Sequence, residues 1–151
     1  MLTATFEFDD CAIQPSALLP HSSGVKSPLL CLNQARYGIA WGAIGAAMAC
    51  YDEARQYAMS RVQFDRPIGG FQLVQAKLAR MLTEITKAQL LAHRLAQLKD
   101  AGTARHYHIS MAKMNNVEIA VSAARTARDI LGGVACSMST SVSATCAISK
   151  A

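Results

Sequence analysis

Apolar residues recur three or four positions apart along three long segments, a spacing that places them on one face of an α-helix. The segments cover residues 32–57, about 71–100 and about 104–131. The side chains of the first are mostly small, which favours close helix contacts. The predicted buried positions are Leu32, Ala35, Ile39, Ala43, Ala46, Cys50, Ala54 and Tyr57, then Val74, Leu78, Met81, Ile85, Ala88, Ala92 and Leu95, then Ile109, Ala112, Asn116, Ile119, Ala123, Ala127 and Ile130.

Helix-breaking residues separate these segments. Residues 64–71 contain one proline and two glycines, Gly102 suits the end of the second helix, and Gly132 and Gly133 suit the end of the third. Three long helices with short connections predict an all-α, up-down bundle that is one helix short of a four-helix bundle.

The N-terminal region has a different pattern. Phe6 and Phe8 alternate with polar residues, which predicts a short β-strand or extended segment, and residues 21–28 read as a loop. Past Gly133 the chain is rich in Ser, Thr, Cys and Ala and loses helical periodicity. Trp41 is expected in the core.

Composition narrows the possible functions. The 151 residues are 52% hydrophobic, which is typical of one globular domain. The longest apolar run, residues 37–51, is too short to span a bilayer, which takes roughly 20 residues. The five cysteines have no metal-site spacing, and no histidine pair is placed to bind a metal. These features favour a reducing compartment and no metal centre.

The net charge of +5 is spread along the helices. Without a basic run or an aromatic platform, nucleic-acid binding is the weakest of the functions considered. Binding of anionic phosphates, as on a cofactor or a CoA ester, is sufficient to account for the excess positive charge.

Four stretches carry a resemblance to a known family: LNQARYGIAWG at residues 32–42, ARQYA at 54–58, RVQF at 61–64 and MLTEIT at 81–86. Together they resemble the C-terminal helical domain of the acyl-CoA dehydrogenases, in particular the glutaryl-CoA dehydrogenases. The resemblance implies that residues 1–28 are a remnant of the middle β-domain and its linker, and that residues 29–133 are the helical bundle. It also implies a homo-oligomer, a tetramer in the family.

The family cofactor is FAD, which lies between subunits. The resemblance assigns cofactor contacts to Arg61, Phe64, Gln72 and the segment Asp129, Ile130, Leu131, Gly132 and Gly133. A guanidinium group suits phosphate because its planar fork donates two hydrogen bonds. Each residue also has a purely structural alternative. Arg61 can close a helix end, Phe64 can be a buried loop anchor, Gln72 can be a solvated residue at a helix start, and the glycines can simply end a helix.

Asn33 and Arg36 match positions that line the acyl-CoA channel in the family, and they share one helix face. The alternative is a helix N-cap asparagine and an exposed arginine. Glu84 is interpreted as structural.

The family's catalytic base is a glutamate in a Tyr-Glu-Gly-Thr motif, which this sequence does not contain. Residues 134–151 depart from the family pattern. They can be back-translated so that a shifted reading frame gives Asp-Glu-Tyr, then Arg-His, then Asn-Leu-Glu, as the family expects. We therefore hypothesise an aberrant, out-of-frame tail, which sequencing the DNA across codons 132–151 would test.

The sequence thus predicts a fragment of an FAD-dependent, glutaryl-CoA dehydrogenase-type enzyme that acts on an acyl-CoA and is inactive alone. Its expected location is the bacterial cytoplasm or the mitochondrial matrix. The alternative is a non-catalytic helical module for oligomerisation.

Overall fold

Three long α-helices dominate the computed structural model, which describes residues 4–22 and 24–136. The helices are α1 (Lys26–Ser60), α2 (Gln72–Asp100) and α3 (His106–Leu131). Between α1 and α2 the strands β1 (Val62–Gln63) and β2 (Arg66–Pro67) pair antiparallel. Short 3-10 turns cover Pro15–Ala17, Ile68–Gly70 and Gly132–Cys136. The predicted all-α bundle is confirmed, and most of the tail discussed above, residues 137–151, lies outside the described residues.

The buried faces of α2 and α3 lie where the periodicity predicts them. Met81, Ile85 and Leu95 are at most 5% exposed, and Gly102 ends the α2 region with a φ of +69°. On α3, all predicted positions are buried except Ile119, which packs at the edge of the core. Apolar residues that repeat every three or four positions define one stripe on each helix, and the large exposed residues, such as Leu90 and Met114, do not repeat at that spacing.

The predicted stripe of α1 is wrong in its first half. Leu32 and Ile39 are 47% and 46% exposed, whereas Ala40 and Ile44 are at most 5% exposed. The buried face is rotated by one residue. Alanine and glycine fill this helix on several sides, so side-chain area does not distinguish one stripe from its neighbour.

Small residues form the contact between α1 and α3, which is the most extensive contact between two helices in the described part. Ala47, Cys50 and Ala54 of α1 are fully buried, and they pack in one cluster with Ala124 and Ala127 of α3. Short side chains let the two backbones approach, since the separation of helix axes follows the size of the residues between them.

Asn116 holds α1 and α3 in register. Its side chain is fully buried, and its Nδ2 donates a hydrogen bond of 3.0 Å to the carbonyl oxygen of Ala40. The Nδ2 of Asn115 in turn donates to Asn116 Oδ1 at 3.0 Å. Because an unpaired buried amide is costly, this bond favours the α1 face that carries Ala40 over the neighbouring one.

Two further expectations are wrong. Residues 26–28 belong to α1 and not to a loop, because a proline in the first helical turn loses no intrahelical hydrogen bond. Of the two alternatives for the N-terminal region, a short β-strand or an extended segment, residues 4–8 do not form the strand, and Phe6 and Phe8 are 78% and 81% exposed. Trp41 is 41% exposed and lies outside the core.

The hairpin between α1 and α2 turns through two residues with left-handed backbone, Phe64 (φ +52°) and Asp65 (φ +62°). Val62 pairs with Pro67, and Gln63 pairs with Arg66. A two-residue loop with both φ values positive is a type I′ turn, which strongly prefers Asn or Gly. Phe64 and Asp65 therefore hold a strained turn.

Replacing Asp65 should change stability in a graded way. We expect D65G to stabilise the fold by about 0.5–1 kcal/mol, because glycine adopts this φ without strain. The greater conformational entropy of glycine in the unfolded chain offsets only part of this stabilisation. The alanine variant D65A should be less stable than wild type. Urea denaturation of the three proteins measures this, and a D65A protein as stable as D65G would contradict the strained turn.

Candidate functional site

Arg61 ends α1 and begins the hairpin. Its backbone N–H donates to Tyr57 O at 2.8 Å, and its own carbonyl accepts from the N–H of Ile68 at 2.8 Å. These two bonds fix its backbone at the base of the hairpin. The side chain is exposed and has no hydrogen-bond or ion-pair partner among the described residues. The guanidinium group is therefore available to a ligand or to another chain.

Gln72 is the first residue of α2 and is exposed. The turn before it packs closely, since a Cβ added at Gly69 would lie 3.1 Å from the carbonyl oxygen of Ala58. Gln75 Nε2 donates to Gly69 O at 3.0 Å. The close approach of Gly69 seats the N-terminus of α2 against α1, beside the end that carries Arg61. The N-terminus of a helix favours anions, because its first N–H groups lack intrahelical partners.

Aromatic side chains cover the outer face of the hairpin. Phe64 is 87% exposed and meets the ring of Phe71 edge to face, with centroids 6.2 Å apart. The guanidinium carbon of Arg66 lies 4.1 Å from the centre of the Phe71 ring. Phe64 is thus not the buried loop anchor of the alternative reading. It presents an apolar face to solvent.

The C-terminal end of α3 has mixed accessibility. Asp129 is exposed and forms an ion pair with Lys77 of α2. Ile130 and Leu131 are only 8% and 3% exposed and pack in the core, so neither side chain is available to a ligand. Gly132 and Gly133 are exposed, and Gly132 has a φ of +61° that favours glycine. In this segment the backbone at the glycines and the Asp129 carboxylate are the groups that reach solvent.

These candidates lie at one end of the bundle. The Lys77–Asp129 pair joins the start of α2 to the end of α3. Ala58, Ile68 and Leu131 share one hydrophobic cluster, which brings in the end of α1 and the hairpin. The arrangement gathers exposed cations, an exposed ring, a helix N-terminus and a glycine turn within one surface. Those groups suit a ligand with a phosphate and an aromatic ring.

Asn33 and Arg36 lie at the other end of the bundle. Both are half-buried in α1, and Asn33 lies more than a turn inside the helix, so it is not an N-cap. Nearby, Lys99 Nζ donates to Gln34 Oε1 at 2.8 Å and lies 4.8 Å from the centre of the Tyr37 ring. At 1.5 Å per residue, about 37 Å of helix separates Arg36 from Arg61. The two groups of candidates therefore do not form one site within a single chain.

Sequence reasoning missed Lys77 and the groove that it borders. The groove lies between α2 and α3 and has a volume of about 670 Å³. Lys77, Arg80, Glu84, Glu118 and Asp129 line its walls, and Met81, Ile119 and Ala123 are among the residues of its floor. The one signal in the sequence is that Lys77, Arg80 and Glu84 lie at helical spacing beside the core stripe of α2.

Among the described residues, no group of three or more His, Cys, Asp or Glu side chains is placed to hold a metal ion. No helix in the described part of the chain has the length and hydropathy that crossing a membrane requires.

A family model for the acyl-CoA dehydrogenase C-terminal domain matches residues 22–151. The chain belongs to the acyl-CoA dehydrogenase family. Among solved structures, glutaryl-CoA dehydrogenase from Mycobacterium smegmatis superposes with a TM-score of 0.82 at 48% identity, covering 85% of this chain and 33% of that one. A glutaryl-CoA dehydrogenase of the same organism in complex with FADH2 gives 0.82 at 42% identity, covering 84% and 33%. This supports FAD as the family cofactor.

Among curated proteins, the human mitochondrial short-chain specific acyl-CoA dehydrogenase is 36% identical over 133 residues, which is 87% of this chain and 32% of that protein. The chain therefore spans about a third of the length of these acyl-CoA dehydrogenases. The predicted family and its all-α helical domain are confirmed. The roles of individual residues remain predictions.

Proposed function

We propose that this chain supplies the helical domain of an FAD-dependent, glutaryl-CoA dehydrogenase-type enzyme. The observation that carries the proposal is that Arg61 is exposed, at the end of the bundle where Gln72 begins α2, and has no side-chain partner within residues 4–22 and 24–136. The guanidinium group of Arg61 would donate hydrogen bonds to phosphate oxygens of FAD, and the side-chain amide of Gln72 would add a neutral one. Gly132 and Gly133 let the backbone approach the adenine side.

The chemistry of the reaction belongs to the cofactor. When bound, FAD would supply the hydride acceptor for α,β-dehydrogenation of the acyl-CoA, while the α-proton would pass to the family's catalytic glutamate. In the glutaryl-CoA enzymes this step is followed by decarboxylation to crotonyl-CoA. The role of this chain is to hold and orient the cofactor and the CoA ester. Arg61, Gln72 and the exposed ring of Phe64 bind the cofactor, while Asn33 and Arg36 line the channel for the CoA ester.

The separation of the two groups fits cofactor sites that are shared between subunits. Because the helix places Asn33 and Arg36 far from Arg61, each end of one bundle serves a different active site. We propose a homo-oligomer, a tetramer as in the family, in which Arg61 reaches the FAD of a neighbouring subunit. The bacterial and mitochondrial relatives support a bacterial cytoplasm or mitochondrial matrix as the location.

The 151 residues alone should not turn over substrate. They contain no Tyr-Glu-Gly-Thr motif to supply the catalytic base, and an out-of-frame tail over residues 134–151 would account for that. We expect no turnover above the free-flavin background with glutaryl-CoA, added FAD and an artificial electron acceptor. A full-length glutaryl-CoA dehydrogenase is the positive control. Turnover by the purified chain would refute the proposed inactivity.

The second candidate is a non-catalytic association module. It is favoured by the exposed apolar side chains of α1, since Leu29, Leu32 and Ile39 are each between 46% and 49% exposed. Exposed apolar patches of this kind commonly mark contacts with other chains. Purified protein that is yellow favours residual flavin binding, whereas colourless and oligomeric protein favours the association module.

A further inference from the structure

Arg66 places a second guanidinium group on the face of the hairpin that carries Arg61. Gln63 and Arg66 are paired across the two strands. The N–H of Ile68 donates to the carbonyl oxygen of Arg61 at 2.8 Å, which continues the same ladder. Arg61 lies two residues before Gln63, so Arg61 and Arg66 are diagonal neighbours on one face. Such neighbours lie roughly 7–8 Å apart, within reach of long side chains, so both guanidinium groups can approach one ligand.

The side chain of Arg66 is restrained by the turn that leads into α2. Its guanidinium carbon lies 4.1 Å from the centre of the Phe71 ring. Its Cδ would lie 3.7 Å from a Cβ added at Gly70, so the aliphatic stem crosses that glycine. Contact with a ring uses none of the five N–H donors of a guanidinium group. Arg66 is therefore held in place with its donors free, which lowers the entropy that is lost when a ligand binds.

No carboxylate neutralises either guanidinium group within residues 4–22 and 24–136. Arg61 and Arg66 are both exposed, and neither forms an ion pair or a side-chain hydrogen bond in that part of the chain. Asp65, the residue before Arg66, forms no ion pair there either. Two unneutralised cations this close repel each other. A bound anion with two negative groups relieves the repulsion, and the planar fork of arginine matches the oxygens of phosphate.

We propose that Arg66 is a second phosphate-binding residue, and that Arg61 and Arg66 together form a clamp for a diphosphate. One arginine suffices for a single phosphate, whereas two guanidinium groups at diagonal positions match two linked phosphate groups. The clamp therefore depends on Arg66 most strongly when the ligand has two phosphates. The inference rests on the proposed function, in which this end of the bundle holds the cofactor, and it identifies the part of the cofactor that the hairpin recognises.

Binding of inorganic pyrophosphate to the full 151-residue chain tests the clamp, with inorganic phosphate as the ligand that has one phosphate. NMR titration at low ionic strength measures both dissociation constants, and circular dichroism checks that each variant keeps its helices. We expect R66Q to weaken pyrophosphate binding by about five- to tenfold, because one charge-assisted contact is lost, and to weaken phosphate binding less. R66K keeps the charge and should restore most of the affinity for pyrophosphate.

The matched control is R94Q, which makes the same change in net charge at an exposed arginine of α2. Arg94 lies about 33 Å along the helix from Gln72, so R94Q should leave both dissociation constants unchanged. Pyrophosphate binding that is absent at millimolar concentrations, or that R66Q and R94Q weaken equally, overturns the clamp.

The R61Q variant separates this inference from the proposed function. The clamp predicts that R61Q and R66Q each weaken pyrophosphate binding. If R61Q weakens it and R66Q does not, Arg61 still binds phosphate and only the role of Arg66 is overturned. The FAD content of an assembled enzyme is measured separately, so failed flavin binding with an intact pyrophosphate clamp counts against the proposed function and not against Arg66.

Discussion

Replacing Asn116 with alanine is expected to destabilise the fold by about 2 kcal/mol, which combines a lost buried hydrogen bond with a small cavity. Asn116 is fully buried, and its bond to Ala40 O joins the middle of α3 to the middle of α1. Within the described residues these two helices form the most extensive helix–helix contact, so the loss should appear in global unfolding and not as local fraying. Urea denaturation monitored by circular dichroism measures the change.

The adjacent residue supplies the control. Asn115 is only partly buried, and its Nδ2 donates to Asn116 Oδ1. In the N115A variant, a water molecule can take the place of this donor. We expect N115A to cost less than about 1 kcal/mol. If the two alanine variants unfold at the same urea concentration, Asn116 does not hold the register of α1 and α3.

Sequence periodicity predicted α2 and α3 well because each has one stripe of large residues. On α2, Leu78, Met81 and Ile85 repeat at intervals of three and four, whereas the exposed Leu73, Leu82 and Leu90 lie on different sides of the helix and form no second stripe. The same reasoning failed on α1, where Gly42, Ala43 and neighbouring small residues make adjacent stripes equivalent. There a single polar contact, from Asn116 to Ala40, marks the buried face. That contact joins residues far apart in sequence, so spacing within α1 could not reveal it.

The hairpin shows a similar limit. Pro67, Gly69 and Gly70 predicted the break after α1, but nothing in the sequence signals a type I′ turn at Phe64 and Asp65, where asparagine or glycine is expected. The candidate site was predicted by resemblance and not by spacing. The structure adds that the Arg61 and Arg36 groups lie at opposite ends of α1. It also adds Lys77, whose partner Asp129 is 52 residues away.

Loss of Arg61 should have the largest functional effect. Removing a guanidinium group that grips phosphate is expected to weaken FAD binding by about 30- to 100-fold, which corresponds to roughly 2–3 kcal/mol for a charged hydrogen-bonding partner. The effect requires an intact cofactor site. A suitable host is the glutaryl-CoA dehydrogenase of Mycobacterium smegmatis, with residues 26–133 of this chain replacing its matching segment.

The chimera allows a matched comparison on one helix. Arg55 is exposed on α1 and pairs with Asp52 at 2.9 Å, so its removal costs a weak surface ion pair and no cofactor contact. We expect R55A to retain the FAD content of the unmodified chimera. The Q72A variant should weaken FAD binding less than R61A, because it removes a neutral hydrogen bond.

FAD content per subunit in this chimera, with and without R61A, is the most direct measurement. The account predicts nearly full flavin occupancy in the unmodified chimera and in R55A, and loss of most flavin in R61A after gel filtration. A correctly folded chimera that binds FAD equally well with R61A would contradict the assignment of this end of the bundle to the cofactor.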